Sequence, residues 1–183
     1  MGPIGHSFSG LSVYLAYCVF KKKPPSLRVS GLAVILGNAP DFDLITAFWV
    51  GFPKANFYHH SYTHTLGFAI FCGLIILIAG RVSTRVWSFS AFAFGFATVF
   101  AHLLGDFITI DTSYPRGLML WWPISDLYRL GPSVFLPIHK GSWWDLISAP
   151  NFNACIHETL IFTPFMSWLT LSLYSNQSKP GYK

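Results

Sequence analysis

The stretch Tyr58-His59-His60-Ser61-Tyr62-Thr63-His64-Thr65 holds three of the chain's seven histidines. Imidazole is the commonest metal-ligating side chain and a frequent general base. Other short patterns offer ligands of the same kind. Asp41-Phe42-Asp43 sets two carboxylates on one side of an extended stretch, able to bind or bridge metal ions. His102-Leu103-Leu104-Gly105-Asp106 sets an imidazole and a carboxylate at i and i+4, on one helix face, where both can reach the same ion. His6 and Glu158 add one imidazole and one carboxylate near the two ends of the chain. Taken singly, each pattern has an ordinary explanation. A polar connector between membrane helices tolerates histidine, Asn38-Ala39-Pro40-Asp41 reads as a turn or cap, and negative charge is favoured at a helix N-terminus such as that near Glu158.

The elements that position these residues are membrane helices. The chain has 183 residues, of which 52% are hydrophobic, 18% aromatic and only 10% charged. A soluble domain of this size could not hide so much apolar surface, whereas a bilayer accepts it on every outward face. Ile4 to Phe20 forms a first apolar segment of roughly 17 residues, the short limit for a span. It is closed by Lys21-Lys22-Lys23-Pro24-Pro25. The basic cluster follows the apolar run, so this segment reads as a retained helix and not as a cleaved signal. Leu27 to Leu36 is broken at Gly37-Asn38-Ala39-Pro40 and resumes as Leu44 to Phe52. A helix ends near the residue before a proline, so this segment is either one kinked span or a half-helix with a re-entrant piece. Leu66 to Gly80, Val86 to Leu104 and Ala154 to Tyr174 complete the apolar set. Between the last two, Ile108 to Asn151 is mixed and rich in Trp and Tyr, as in an aromatic belt at the membrane surface. The expectation is an all-α polytopic transmembrane bundle of about four to five spans with a long mixed surface loop. It forms a single domain over residues 1–175, followed by a short basic tail, 176–183.

The positive-inside rule puts Lys21, Lys22, Lys23, Arg28, Arg81 and Arg85 in the cytoplasm. His6, Asp41, Asp43, His59, His60, His64, His102, Asp106, His139, His157 and Glu158 then gather toward the opposite face. An ionisable residue inside a span costs ~2.5–3.5 kcal/mol on insertion scales, so such a gathering points to one functional site, and these residue types point to metal. The net charge of +5 comes from Lys and Arg at the ends of apolar segments, without a basic stripe, which argues against a nucleic-acid partner. Cys18, Cys72 and Cys155 are odd in number and lie within apolar runs, as small buried hydrophobes do. His157-Glu158-Thr159-Leu160-Ile161 lacks the second histidine of a zinc-protease motif, and no serine-hydrolase elbow or phosphate-binding glycine loop is present.

The ordered set Gly5-His6, Pro40-Asp41-Phe42-Asp43, His59 to Thr65, His102 to Asp106 with Thr109, Trp122-Pro123 and Glu158 resembles a membrane-bound, metal-dependent hydrolase family. That family includes the LexA-regulated inner-membrane hydrolases. The resemblance covers about residues 5 to 160. The family's middle motif, His-Arg-Gly-x-Thr-His-Ser, maps its histidines to His59 and His64, with His60, Ser61 and Thr65 in place of its arginine, glycine and serine. Ala39 replaces the leucine before Pro-Asp-x-Asp. A more distant similarity, to zinc-dependent phospholipase C and P1-type nucleases, is analogy alone. The resemblance implies a site in the inner or plasma membrane that faces the non-cytoplasmic side. It implies about one to three divalent ions, zinc foremost, bound by His6, Asp41, Asp43, His59, His64, His102, Asp106 and Glu158. Asp43 is the expected catalytic acceptor of the water's proton, with Asp41 the alternative. The expected partners are the lipid bilayer and a lipid-like or phosphorylated substrate, with Arg116 and Lys140 available to hold a phosphate. Two other classes remain open: a non-catalytic metal- or lipid-binding membrane protein, and a transporter. Against the transporter, Leu66 to Gly80 contains no charge.

Overall fold

The computed structural model describes residues 1–112 and 114–177. Most of the expected basic tail, residues 178–183, lies outside the described residues. Among the described residues seven α-helices follow one another: α1 (Pro3–Lys21), α2 (Leu27–Gly37), α3 (Ala47–Val50), α4 (Phe52–His59), α5 (Leu66–Thr84), α6 (Phe89–Phe107) and α7 (Ala149–Gln177). A 3-10 turn, Pro40–Thr46, joins α2 to α3, and among the described residues there is no strand, only two isolated bridges. The all-helical expectation holds.

The break expected at Gly37 to Pro40 is present. The α2 axis and the Pro40–Val50 segment meet at 59°. The α5 and α6 helices are each long and apolar enough to cross a membrane, and the bent pair brings the number of candidate spans among the described residues to at most three, fewer than the four to five expected. The reason is composition. The α1 helix carries His6, Ser7, Ser9 and Ser12, while α7 carries Asn151, Asn153, His157, Glu158, Thr159 and Thr163. Several of these hydroxyls turn back on their own helix, as Thr159 does to the Cys155 carbonyl at 2.8 Å. On α5, by contrast, Ile70, Phe71, Leu74, Ile75, Ile78 and Val82 all face outward, a surface suited to lipid.

The helices α5 and α6 pair as an antiparallel hairpin, while α1 packs among α2, α6 and α7. Tyr14, Cys18, Ala33 and Leu173 form one buried cluster; Ala69, Cys72, Val99 and Leu103 form another. The three cysteines are free, with Cys18 and Cys72 buried. Close approach of α1 and α2 depends on missing side chains. A Cβ on Gly10 would meet the Ala33 carbonyl oxygen at 2.3 Å, and one on Gly37 would meet that of His6 at 2.5 Å. This small-residue contact brings the start of α1 against the end of α2. The loop between α6 and α7 folds over the same end, where Leu66 N–H donates to the Leu120 carbonyl at 2.8 Å and Met119 N–H to that of His60 at 3.2 Å.

Candidate metal centre

At this end, the first turn of α1 meets the last turn of α6. The His6 and His102 rings stack with centroids 3.6 Å apart. The break after α2 orients His102. In an unbroken helix the Gly37 carbonyl would accept from the N–H of residue 41, but Asp41 N–H turns instead to Asn38, at 3.1 Å. The Gly37 carbonyl is left for His102 Nδ1–H, at 2.7 Å. With Nδ1 donating to the carbonyl, Nε2 is the His102 nitrogen left to face the site.

The histidine stretch closes two tight turns, Ser61 N–H to the Tyr58 carbonyl at 3.0 Å and His64 N–H to that of Ser61 at 3.2 Å. Thr65 then caps α5, its hydroxyl accepting from Phe68 N–H at 3.0 Å. The curl brings the His59 and His64 rings to 4.5 Å and those of His60 and His64 to 5.3 Å. Asp43 holds this curl. It accepts from His59 Nδ1 at 2.7 Å and from the Thr63 hydroxyl at 2.6 Å, and His64 Nδ1 lies 3.1 Å from that same Thr63 oxygen.

Three imidazoles are thus held by their Nδ1 atoms, with their Nε2 atoms turned to Asp41 and Asp106. Asp41 Oδ1 lies 3.5, 3.4 and 3.6 Å from Nε2 of His59, His64 and His102. Asp106 Oδ2 lies 3.2 and 3.1 Å from those of His64 and His102, and Oδ1 lies 3.2 Å from His6 Nε2. Ligand atoms of His6, Asp41, His102 and Asp106 fall within 4.8 Å of one another, as do those of His59, His60 and His64. An ion with bonds of ~2.0–2.2 Å spaces tetrahedral ligand atoms by about 3.3 Å, so these residues fit a divalent metal. The polar bookkeeping agrees. Buried Asp106 Oδ2 has no partner besides the two imidazole nitrogens, of His64 and His102, at 3.2 and 3.1 Å. Nε2 of His64 and His102 face each other at 3.1 Å, close enough to share a proton or to ligate one metal ion.

Electrostatics divide the three histidines of the stretch. Burial pulls His64 down, but the hydrogen bonds and charges of Asp106 and Asp41 outweigh it and raise its pKa to about 9. Burial, with Lys140 next in weight, lowers His60 to about 4 and holds His59 well below the ordinary histidine value. His59 and His60 are thus neutral, the state in which imidazole ligates a metal, whereas His64 holds a proton that a bound metal would displace.

Residues 1–179 match the family described as the YdjM inner membrane protein. The chain belongs to that family. Its membership and its apolar helices make it an inner-membrane protein. No curated protein and no solved structure matches the chain.

In this YdjM-family chain, six of the eight expected ligands converge: His6, Asp41, His59, His64, His102 and Asp106. Asp43 stands behind them, both oxygens engaged by His59 and Thr63, so it positions imidazoles where it was expected to ligate or to accept a proton. Glu158 is fully buried, yet its oxygens accept the N–H groups of Gly2 at 2.7 Å and Gly5 at 3.0 Å, and it belongs to neither ligand group. It anchors the start of α1 to α7. His60, expected on the same face but not among the ligands, joins His59 and His64, with Nδ1 3.2 Å from Asp111 Oδ2. Asp111 and Thr63 were not anticipated. The available signals were a carboxylate just past the end of α6 and a hydroxyl adjacent to a ligand histidine. The Met1 amino group lies against Asp106 and 3.0 Å from the Thr109 hydroxyl. Two cavities adjoin the centre. A polar one of about 20 Å³, room for a single water, is lined by His60, Asp106, Thr109, Asp111 and Lys140. A largely apolar one of about 430 Å³ reaches Asp41 and His59. Lys140 lines both, whereas Arg116 is exposed.

Proposed function

We propose that this protein is a membrane-embedded, metal-dependent hydrolase acting on an ester or phosphoester of a lipid or amphiphile. The observation that carries the reading is the convergence of three Nδ1-anchored imidazoles, His59, His64 and His102, on two buried carboxylates, Asp41 and Asp106. Mixed nitrogen and oxygen donors without thiolate suit zinc, at about one to three ions. A divalent ion, held by these imidazoles and carboxylates, would supply Lewis-acid polarisation of the bond under attack and acidify water at neutral pH.

The chain's own residues do the rest. His59, His64 and His102 present Nε2, Asp106 supplies charge, and His6 closes the side next to α1. Asp43 and Thr63 fix the imidazole tautomers, a support whose loss typically weakens metal sites. Asp41 lines the apolar cavity and faces the imidazoles, so we assign it the acceptance of a proton from attacking water, the role expected of Asp43. The Lys21 to Arg28 cluster, Arg81 and Arg85 cap the opposite helix ends, which by the positive-inside rule supports a site facing the non-cytoplasmic side.

The test is hydrolysis of a chromogenic phosphodiester and of a fluorogenic phospholipid by detergent-purified, zinc-loaded protein. Turnover that is abolished by Asp41→Asn and by chelation is expected. Bound zinc without turnover of any ester or phosphoester would reduce the centre to a structural metal site and overturn the reading.

A further inference from the structure

The 430 Å³ cavity has two chemically distinct parts. Its wall is aromatic and aliphatic. Trp143 packs on Phe48 with ring centroids 4.5 Å apart and on Phe52 at 4.6 Å, and Ile45 and Leu146 extend the lining. Its inner end is Asp41, His59 and Lys140. A volume of this size lies within the ~300–1,000 Å³ range of small-molecule sites. Lys140 is the hinge between the parts, because it lines the water-sized polar cavity as well. Among the described residues it has no ion pair. Its backbone is nonetheless pinned: Asn56 Nδ2 donates to its carbonyl at 2.6 Å, and Asn151 brackets His139 with bonds of 2.7 and 2.8 Å. A half-buried, unpaired ammonium fixed beside a metal centre that neutralises its own carboxylates selects an anion. An apolar chamber running outward from that point selects a chain.

We propose that the cavity receives the hydrocarbon chain of an amphiphile with a phosphate headgroup, and that Lys140 binds that phosphate where it meets Asp41 and His59. The inference rests on the hydrolase reading and adds the substrate class to it. The chain enters between the Pro40–Val50 segment and the 143–146 stretch, where Ile45 and Phe48 are also exposed on the apolar exterior. A lipid can therefore slide in from the bilayer without crossing water.

Binding is measured on full-length, zinc-loaded protein in detergent. The probes are hexadecyl phosphate with a photoreactive diazirine in its chain, the matching hexadecanol, and inorganic phosphate. Cross-links are expected within residues 42–52 and 143–146. Lys140→Ala is expected to weaken hexadecyl phosphate roughly tenfold or more while leaving hexadecanol unchanged. Leu146→Trp, which fills the chamber, is expected to suppress cross-linking but not the binding of inorganic phosphate. Cross-links elsewhere, or an affinity for hexadecyl phosphate equal to that for inorganic phosphate and indifferent to Leu146→Trp, would overturn the proposal. Neither readout needs turnover. Specific cross-linking without hydrolysis sinks the hydrolase reading and leaves the lipid-phosphate site standing, while hydrolysis with cross-links elsewhere does the reverse.

Discussion

Asp41 and Asp43 are two positions apart and do different work. The 3-10 turn from Pro40 to Thr46 carries successive side chains around a tight helix, so the two carboxylates diverge where an extended strand would align them. Asp41 faces the imidazole Nε2 atoms, and Asp43 faces the Nδ1 side of His59. Asp43→Asn is therefore expected to leave the protein folded and to lower metal affinity ~10–100-fold, read by competition with a chelator of known strength. Affinity equal to wild type would remove Asp43 from the support of the centre. Much of this residue-scale pattern is legible in the sequence. His102 and Asp106 share a helix face by spacing alone, and the segregation of ionisable residues from basic loops points to His6, His59 and His64. What is not legible depends on contacts across the fold. Glu158 reads as a ligand because it is a carboxylate at the right end, but the start of α1 spends it on two backbone amides. His60 is hidden by its neighbours, since adjacency to His59 says nothing about which of the two turns inward.

The element that sets the centre is the break between α2 and the Pro40–Val50 segment. It frees the Gly37 carbonyl to orient His102 and delivers Asp41 to the same point. Proline and the Gly-Asn pair make the break visible in the sequence; its 59° angle comes from packing and does not. Gly37→Ala places a methyl against the His6 carbonyl, so α2 must back away from α1. A loss of ~1–3 kcal/mol is expected, together with weakened metal binding, measured by unfolding in detergent and by metal titration. Gly31→Ala, on the same helix and with nothing within 4 Å of its Cβ, is the control and should be neutral or slightly stabilising. If the two variants behave alike, the small-residue contact does not position the site. The span count was harder to read than the break. Hydrophobic runs locate α1 and α7 correctly, but their serines, threonines and asparagines, with hydroxyls such as those of Ser7 and Thr163 bonded back to their own helix, take both helices below the apolarity of α5 and α6.

At the scale of the molecule the bundle has two unlike ends. Antiparallel α1 and α6 bring His6 to His102 at one end and Lys21 beside Phe89 at the other. Nineteen residues of α6 span ~28 Å at 1.5 Å per residue, close to a hydrocarbon core. Single cysteines introduced at Lys22 and Tyr114 should accordingly react with an impermeant thiol reagent from opposite faces of the inner membrane, Lys22 from the cytoplasm. Labelling of both from one side would refute the two-ended arrangement. The central claim, that the buried imidazoles and carboxylates form a metal centre, is tested most directly by metal content. Mass spectrometry on detergent-purified wild type beside His102→Ala should find stoichiometric zinc in the first and its loss in the second. Wild-type protein that holds no metal after zinc is supplied, or a His102→Ala variant that holds as much as wild type, would contradict the account.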